Sequence, residues 1–212
     1  MPHYDYEIGT ARENLCRFLA ACYYQPGPEF AEEKVFDSML DAATRIHPRL
    51  AAHARRLGEE FSAEGPESLL VDYTRLFLGP SHIIAKPYGS VWLDGEETLM
   101  QDSTMAVQEL YQEGGFEIDK DFRELPDHIA AELEFLYLLI YRENEARRND
   151  DPEALTAMAG LRKRFLDEHL GSWVGPFTTA VRAGAQSGFY RELAELTDRF
   201  VSMEAVSARR IT

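Results

Sequence analysis

The segment IAAELEFLYLLIYRENEARR, Ile129 to Arg148, decides the fold class of this chain. Its apolar residues recur at spacings of 4, 3, 1 and 3, which places them on one face of an α-helix: Ile129, Leu133, Leu136, Tyr137 and Ile140. Its last turns carry Arg142, Arg147 and Arg148, where the helix dipole favours positive charge. The segment therefore predicts a long amphipathic helix with a buried face.

The same period continues through most of the chain on both sides of this segment. It predicts further helices over residues 8–22, 30–43, 48–61, 66–77, 99–111, 152–166, 177–183 and 190–200. Breaks rich in proline or glycine separate several of them, at 26–28, 114–115 and 171–176. The one strand candidate, Gly89 to Leu93, is short and lacks a partner. We therefore predict an all-α protein of about eight to ten helices, in a single domain over residues 1–212 with a tail that frays from about residue 205.

The charge of the chain argues against several classes of partner. It has 22 Lys and Arg residues against 37 Asp and Glu residues, which gives a formal net charge of −15. A surface this negative disfavours binding to nucleic acid and to anionic membranes. The N-terminal residues lack the pattern of a signal peptide, and no run of 18 apolar residues is present to span a membrane. We therefore expect a cytoplasmic protein without membrane insertion.

The sequence lacks the patterns by which catalytic and cofactor sites are commonly recognised. It contains no P-loop, no G-x-G-x-x-G and no H-E-x-x-H, and Ser90 lacks the flanking residues of a nucleophile elbow. Cys16 and Cys22 point to different faces of the first predicted helix, so neither a disulfide nor a metal site is expected from them. We predict no catalytic residue, no metal and no cofactor.

A long apolar loop lies within the segment VDYTRLFLGPSHIIAKPYGSVWLDGE, Val71 to Glu96. Gly79 and Pro80 end the preceding helix, and large apolar side chains then follow at Ile83, Ile84, Pro87, Tyr88, Val91 and Trp92. Connecting segments usually lie on the surface, so a loop this apolar is unusual in an acidic protein.

Aromatic residues in and around this segment have two interpretations. All of them could belong to an ordinary core: Tyr23, Tyr24, Tyr73, Phe77, Tyr88 and Trp92. Helical spacing favours this for Tyr73 and Phe77. Tyr88 and Trp92 lie in the loop, where aromatic side chains more often recognise a partner or anchor the loop.

A polar cluster, Pro126-Asp127-His128 followed by Glu132, stands at the start of the segment that decides the fold. His128 and Glu132 are one helical turn apart and share a face, as a metal-ligand pair or an acid–base pair would. In a simpler interpretation, Asp127 caps the helix and His128 hydrogen-bonds to the apolar loop. Two groups do not complete a metal site, so the simpler interpretation is favoured.

Together these segments resemble the TorD/DmsD/NarJ family of redox-enzyme maturation chaperones. The resemblance rests on three motifs in this order: Tyr73-x-x-Leu76-Phe77-x-Gly79-Pro80, Pro87-Tyr88-Gly89-Ser90-Val91-Trp92 and Glu124-x-Pro126-Asp127-His128. The order of elements is similar over roughly residues 8–200, whereas the specific motifs cover only 73–96 and 124–132.

The resemblance implies a cytoplasmic chaperone that is not an enzyme. Members of the family bind the twin-arginine leader of a molybdopterin-dependent oxidoreductase subunit, its mature part, or both, and hold the subunit until its cofactor is inserted and it is exported. The resemblance also implies that the motif residues form or support a leader-binding groove: Tyr73, Leu76, Phe77, Gly79, Pro80, Pro87, Tyr88, Ser90, Trp92, Glu124, Pro126, Asp127, His128 and Glu132.

The chemistry of a twin-arginine leader agrees with such a groove. The leader joins a basic pair to an apolar stretch that tends to form a helix, and an apolar groove between helices would bind that stretch. Carboxylates at the rim would bind the arginines, with Asp127 as the first candidate and Glu124 and Glu132 behind it. The net charge of −15 would steer a basic leader toward the protein.

Three other functions stay open at this point. A nucleotide-responsive chaperone of the same family would bind a guanine nucleotide or molybdopterin, although the sequence contains nothing that resembles a phosphate-binding loop. An all-helical interaction module with an unrelated partner would bind without regard to paired arginines. A small helical metalloprotein would contain a metal or a chromophore when purified. The sequence is compatible with a monomer and with a domain-swapped homodimer, and it does not identify the client enzyme.

Overall fold

The computed structural model describes residues 6–79, 82–95, 102–118 and 124–210, and within these ranges the fold is all-α, as predicted, with no strand. Among the helices described, none combines the length and the apolar character that crossing a bilayer requires. The elements in chain order are α1 (Tyr6–Ala21), α2 (Glu29–Glu32), α3 (Val35–Ile46), α4 (Pro48–Tyr73), a π-helical turn (Thr74–Leu78), α5 (Gly89–Leu93), α6 (Asp102–Gly114), α7 (Ile129–Arg148), α8 (Pro152–Glu168), α9 (Leu170–Gly184) and α10 (Gly188–Ala208).

Helix α7, which corresponds to the segment that decides the fold class, packs against α1, α8 and α9. Most of its predicted apolar face is buried, and so are Ala130, Phe135 and Leu139 outside that stripe. Several neighbouring helices cover α7, so it buries more surface than a single amphipathic stripe provides. Helix α10 packs against α4, α8 and α9 and extends the same core.

The third and fourth predicted helices meet directly in α4, without a loop between them. The chain kinks at Gly65, whose φ of 76° is a conformation that favours glycine, and Pro66 begins the next stretch of helix. The predicted boundary at residue 66 is therefore a kink inside one long element.

The predicted break at residues 171–176 is wrong. Helix α9 begins at Leu170 and continues through Pro176 to Gly184, so that only His169 separates it from α8. Trp173 and Phe177 are fully buried on one side of α9. This burial outweighs the backbone hydrogen bond that a proline inside a helix cannot donate.

Other boundaries differ from the sequence-based ones by smaller amounts. The second predicted helix is divided at Lys34, whose φ of 53° lies in the left-handed region, into α2 and α3. Gly89 to Leu93 forms the short helix α5. The predicted start of the fifth helix, Leu99, lies outside the described residues. Helix α10 continues past residue 205 to Ala208, whose side chain is buried.

A buried ionic network ties four helices together. Arg162 of α8 is fully buried and donates to the carboxylates of Glu143 on α7 and Glu204 on α10. Arg12 of α1 donates to Glu204 through two nitrogens. Removing one partner from such a network leaves a buried charge uncompensated, which typically costs about 3–5 kcal/mol.

The end of α4 directs the apolar loop back toward the core. In the π-helical turn, the N–H of Gly79 donates to the carbonyl of Thr74, five residues earlier, at 2.7 Å. Gly79 has a φ of 49°, and a Cβ there would collide with the carbonyl oxygen of His82. The N–H of Ala85 then donates to the carbonyl of Leu76 at 2.9 Å, which holds the loop against the π-helical turn.

Candidate functional site

The apolar loop and the polar cluster, which lie far apart in the sequence, are joined by backbone hydrogen bonds. The N–H of Gly89 donates to the carbonyl of Asp127, and the N–H of Ile129 donates to the carbonyl of Pro87, each at 2.8 Å. Tyr88 and His128 thereby form an isolated antiparallel bridge. The structure thus brings together the second and third sequence motifs.

Asp127 caps α5 and not α7. Its side chain is only 1% exposed, and its Oδ2 accepts the N–H of Ser90 at 2.8 Å. The expected cap of α7 is provided by His128, whose Nδ1 accepts the N–H of Ala130 at 3.2 Å. The simpler sequence interpretation therefore has the right chemistry but the wrong residue at the cap. As a guanidinium partner, Asp127 stays a prediction, and its carboxylate lies beneath the surface.

His128 is held as a neutral imidazole. Burial lowers its pKa to about 4, while the nearby carboxylates of Glu124 and Asp127 act in the opposite direction. The ring of Tyr88 contacts it edge to face, with 5.5 Å between the ring centroids. This packing joins the buried cap of α7 to a tyrosine that reaches the surface.

Glu132 lies in the interior and does not reach a rim. It is 0% exposed, and its Oε2 accepts the indole N–H of Trp173 at 3.0 Å. Burial raises the pKa of Glu132 well above its usual range, and the charge of Asp127 acts in the same direction. Gly89 fills the space beside this pair, because a Cβ there would lie 2.9 Å from Trp173 Nε1 and 3.0 Å from Glu132 Oε1. Glu132 therefore supports the site from within.

The first motif supplies the wall behind the site. Leu76 and Phe77 are buried, and Phe77 packs against the rings of Tyr23, Phe177 and Tyr190. These two motif residues support the loop through the core and do not line a surface. Pro80, which was predicted in the same wall, lies outside the described residues.

Five predicted site residues are half-buried and reach the surface: Gly79, Tyr88, Trp92, Glu124 and Pro126. The hydroxyl of Tyr88 donates to Glu124 Oε2 at 2.6 Å. The indole N–H of Trp92 donates to the carbonyl of Lys86 at 2.9 Å, and its ring packs against Phe177. The Pro126 carbonyl accepts the Tyr111 hydroxyl at 2.8 Å.

A second tyrosine–carboxylate pair lies beside the first, and the sequence interpretation missed it. The hydroxyl of Tyr24, at the end of the α1 region, donates to Glu134 Oε1 on α7 at 2.7 Å. Burial, then the bond to Glu134, raise the pKa of the Tyr24 phenol, and Glu124 adds to the shift. Glu124 also acts on Tyr73. Burial, and to a lesser extent the charge of Glu124, raise the pKa of Tyr73 to about 12.

We call Tyr24, Tyr73, Tyr88, Glu124 and Glu134 the tyrosine–carboxylate patch. A sequence signal for Tyr24 and Glu134 was weak, since the two residues are 110 positions apart and neither belongs to one of the three motifs. Within the described residues, neither Glu124 nor Glu134 has an ion pair. The patch is therefore aromatic and carries negative charge that no described cation neutralises.

A small groove of mixed polarity lies on the loop that carries Tyr88. It has a volume of about 220 Å³, and its lining residues come from the loop and α5: His82, Ile83, Ile84, Lys86, Val91, Trp92 and Gly95. Trp92 in the groove and Tyr88 in the patch are four residues apart, which is about one helical turn, or roughly 5 Å. Val71 near the end of α4 and Leu78 in the π-helical turn are exposed apolar residues, at 68% and 50% exposure. We call the seven-residue cavity the loop groove.

The described part of the chain offers no ready metal centre. No group of three or more His, Cys, Asp or Glu side chains there could hold a metal ion. His128 and Glu132, the pair considered above, make other contacts, since His128 accepts an amide N–H and Glu132 accepts an indole N–H.

Comparison with known proteins gives consistent matches. A family model described as the nitrate reductase delta subunit matches residues 37–179, a range that includes all three sequence motifs. The Tat proofreading chaperone DmsD of Salmonella typhi is 33% identical over 181 residues, which cover 85% of this chain and 82% of the relative. The chaperone protein TorD of Vibrio parahaemolyticus is 28% identical over 170 residues, which cover 80% and 71%.

The fold also matches a solved structure. The crystal structure of an Archaeoglobus fulgidus protein assigned to redox enzyme maturation aligns with a TM-score of 0.52. The alignment covers 90% of this chain and 93% of that protein, at 23% identity. The two proteins therefore share an all-α fold.

Proposed function

The chain belongs to the TorD/DmsD/NarJ family of redox-enzyme maturation chaperones, and from this we propose that it binds the twin-arginine leader, the mature part, or both, of a molybdopterin-dependent oxidoreductase subunit. In this role it acts in the cytoplasm, holds the subunit until its cofactor is inserted, and then releases it for export. It performs no chemistry on its client.

The observation that carries this proposal is the hydrogen-bonded pair of Tyr88 and Glu124, in which Tyr88 belongs to the same loop that lines the loop groove. A leader combines a basic pair with an apolar stretch, and these two surfaces match the two parts. The second carboxylate oxygen of Glu124 accepts a guanidinium N–H, and the tyrosine ring offers a face for the planar cation. The loop groove, with Ile83, Val91 and Trp92, receives apolar side chains of the leader.

The charge of the whole protein supports the same partner. A net charge of −15 attracts a basic segment and repels acidic surfaces, so it increases the rate of encounter. This contribution is screened by salt, whereas direct contacts at Glu124 are screened less. Binding is therefore expected to weaken, but not to vanish, when the ionic strength is raised.

Calorimetric titration with synthetic leader peptides tests the proposal. One peptide carries adjacent arginines before an apolar stretch, and its match carries two lysines. We expect the arginine peptide to bind more tightly, and Glu124→Gln to weaken it about tenfold, because a charge-assisted hydrogen bond is lost. Equal binding of the two peptides would instead support an interaction module with an unrelated partner.

Capture from the native host identifies the client. The tagged protein is purified from anaerobically grown cells, and the bound proteins are identified by mass spectrometry. A molybdopterin-dependent subunit captured only when its leader is present supports leader binding. The same subunit captured after leader deletion assigns the contact to its mature part.

A further inference from the structure

We propose that Tyr24 and Glu134 form a second arginine seat, so that the tyrosine–carboxylate patch binds the two guanidinium groups of the leader separately. This inference rests on the proposed function and specifies how its basic pair is recognised. Tyr88 and Glu124 form the first seat, and Tyr24 and Glu134 form the second.

The two seats have the same chemistry. In each, a tyrosine hydroxyl donates to one carboxylate oxygen, at 2.6 Å in the first seat and 2.7 Å in the second. In each, the hydrogen bond fixes the orientation of the carboxylate, and the second oxygen has no hydrogen bond within the part of the chain that the structure describes. Pre-organisation of this kind lowers the entropy that is lost when a ligand binds.

Both seats lie at the start of α7. The ring of Tyr88 contacts His128, the N-cap of α7, and Glu134 follows His128 by six residues, about 9 Å along the same helix. Glu124 raises the pKa of the phenols in both seats, since it acts on Tyr24 as well as on Tyr88. Tyr73 also acts on both phenols and so lies near both seats. Adjacent side chains of an extended peptide point to opposite sides, so two arginines in sequence reach sites on the order of 10 Å apart.

An independent observation comes from beneath the patch. Asp127 is almost fully buried, and its Oδ1 has no hydrogen-bond partner among the described residues. Its charge also acts on the phenol of Tyr88, so its electrostatic field extends into the first seat. A cation in the patch reduces the cost of this buried negative charge.

The paired aromatic rings favour arginine over lysine. A guanidinium is planar, stacks on a tyrosine ring and binds a carboxylate through two N–H groups, whereas an ammonium is a compact point charge. The seats therefore select two arginines, and each lysine replacement in the leader removes the contacts of one seat. The expected order of affinity is Arg-Arg, then either mixed peptide, then Lys-Lys.

The experiment titrates four leader peptides, with Arg-Arg, Arg-Lys, Lys-Arg and Lys-Lys, against the wild-type protein and the Glu134→Gln and Glu124→Gln variants. Glu145→Gln is the matched control, because Glu145 is exposed on the same helix and lies eleven residues, about 16 Å, from Glu134. We expect Glu134→Gln to weaken binding of the Arg-Arg peptide about tenfold and to have little effect on the binding of one of the two mixed peptides. Glu124→Gln should have little effect on the binding of the other mixed peptide.

Other outcomes overturn the second seat. If Glu134→Gln binds the Arg-Arg peptide like the wild type while Glu124→Gln is weakened, then only one seat exists. If Glu134→Gln and Glu145→Gln weaken the binding of all four peptides equally, the loss comes from long-range electrostatic attraction and not from a direct contact. If the wild-type protein binds none of the peptides, the proposed leader recognition itself fails, which is a different result. Tyr24→Phe is a second variant for the same titration, since it keeps the ring and removes the hydroxyl that orients Glu134.

Discussion

The indole N–H of Trp173 donates to Glu132 Oε2 at 3.0 Å, and Gly89 is packed against the two interacting groups. This contact links three elements, because Trp173 lies on α9, Glu132 on α7 and Gly89 at the start of α5. The position of α5, and with it of Tyr88 and Trp92 at the surface, therefore depends on a fully buried hydrogen bond.

Gly89→Ala is expected to displace α5. The added Cβ would lie 2.9 Å from Trp173 Nε1 and 3.0 Å from Glu132 Oε1, closer than a carbon normally approaches either atom. We expect the free energy of unfolding to fall by about 1–3 kcal/mol, as measured by urea denaturation. Gly160→Ala is the control, because Gly160 is exposed in α8 with open space around it, and it should gain up to about 1 kcal/mol. Equal stability of Gly89→Ala and wild type would contradict the close packing.

Glu132→Gln should become more stable relative to the wild type as the pH rises. Burial raises the pKa of Glu132 in the folded state above its ordinary value of 4.5, so the folded protein prefers the protonated acid. The stability that this proton provides is present below about pH 4.5 and is lost as the pH rises toward the folded pKa. Glutamine keeps an acceptor for the Trp173 indole and does not titrate.

Denaturant unfolding of both proteins between pH 4.5 and 8 measures this effect. The difference in the free energy of unfolding between Glu132→Gln and the wild type should grow toward the alkaline end. A difference that does not change with pH would mean that Glu132 is ionised in the fold at a normal pKa.

His128 should make the wild-type protein less stable in acid. Its pKa is lowered from 6.5 to about 4 by burial, so its contribution to stability is full above about pH 6.5 and is lost as the pH falls toward 4. The full shift corresponds to roughly 3 kcal/mol. His128→Asn keeps a residue that caps helices well and removes the titration, so its stability should depend less on pH in this window.

His47→Asn is the matched control for this measurement. His47 caps α4 in the same way, with its Nδ1 accepting the N–H of Arg49 at 3.1 Å, but it is not buried. Thermal unfolding at pH 7 and pH 5 should show a smaller loss for His128→Asn than for the wild type and His47→Asn. The same loss in all three proteins would exclude His128 as the source.

Arg162→Ala should destabilise the protein strongly without acting on the leader surface. It leaves the carboxylates of Glu143 and Glu204 buried, and we expect a cost of about 3–5 kcal/mol in chemical denaturation. Arg164→Ala, two residues away, removes an exposed pair with Glu113 and should cost less than about 1 kcal/mol. A small effect at Arg162 would show that the interior accommodates the two acids in another way, for example by protonation.

The helical class could be predicted because apolar spacing reports burial directly. The stripe from Ile129 to Ile140 and the proline starts at Pro48, Pro66 and Pro152 all correspond to helical segments in the fold. The stretch 171–176 was mispredicted because local propensity counted Gly171 and Pro176 against a helix, whereas burial of Trp173 decided the outcome.

The site could be predicted only in part, for a different physical reason. The sequence indicated that His128 meets the apolar loop, and the structure shows that it pairs there with Tyr88, but capping depends on which side chain faces a helix end in three dimensions. For that reason Asp127 was assigned to α7 although it caps α5. The contact between Tyr24 and Glu134 joins distant parts of the chain and leaves no pattern in either local sequence.

Because of the π-helical turn Thr74–Leu78, the direction in which the loop leaves α4 depends on the number of residues before Gly79 as well as on their identity. A chain one residue shorter there would close the turn as ordinary α-helix, and Gly79 would rotate by about 100° around the helix axis. The loop would then leave α4 in another direction, and Pro87 would no longer meet Ile129. Insertions and deletions between Tyr73 and Gly79 should therefore be rare among relatives that keep this loop, and each should be matched by a change of loop length.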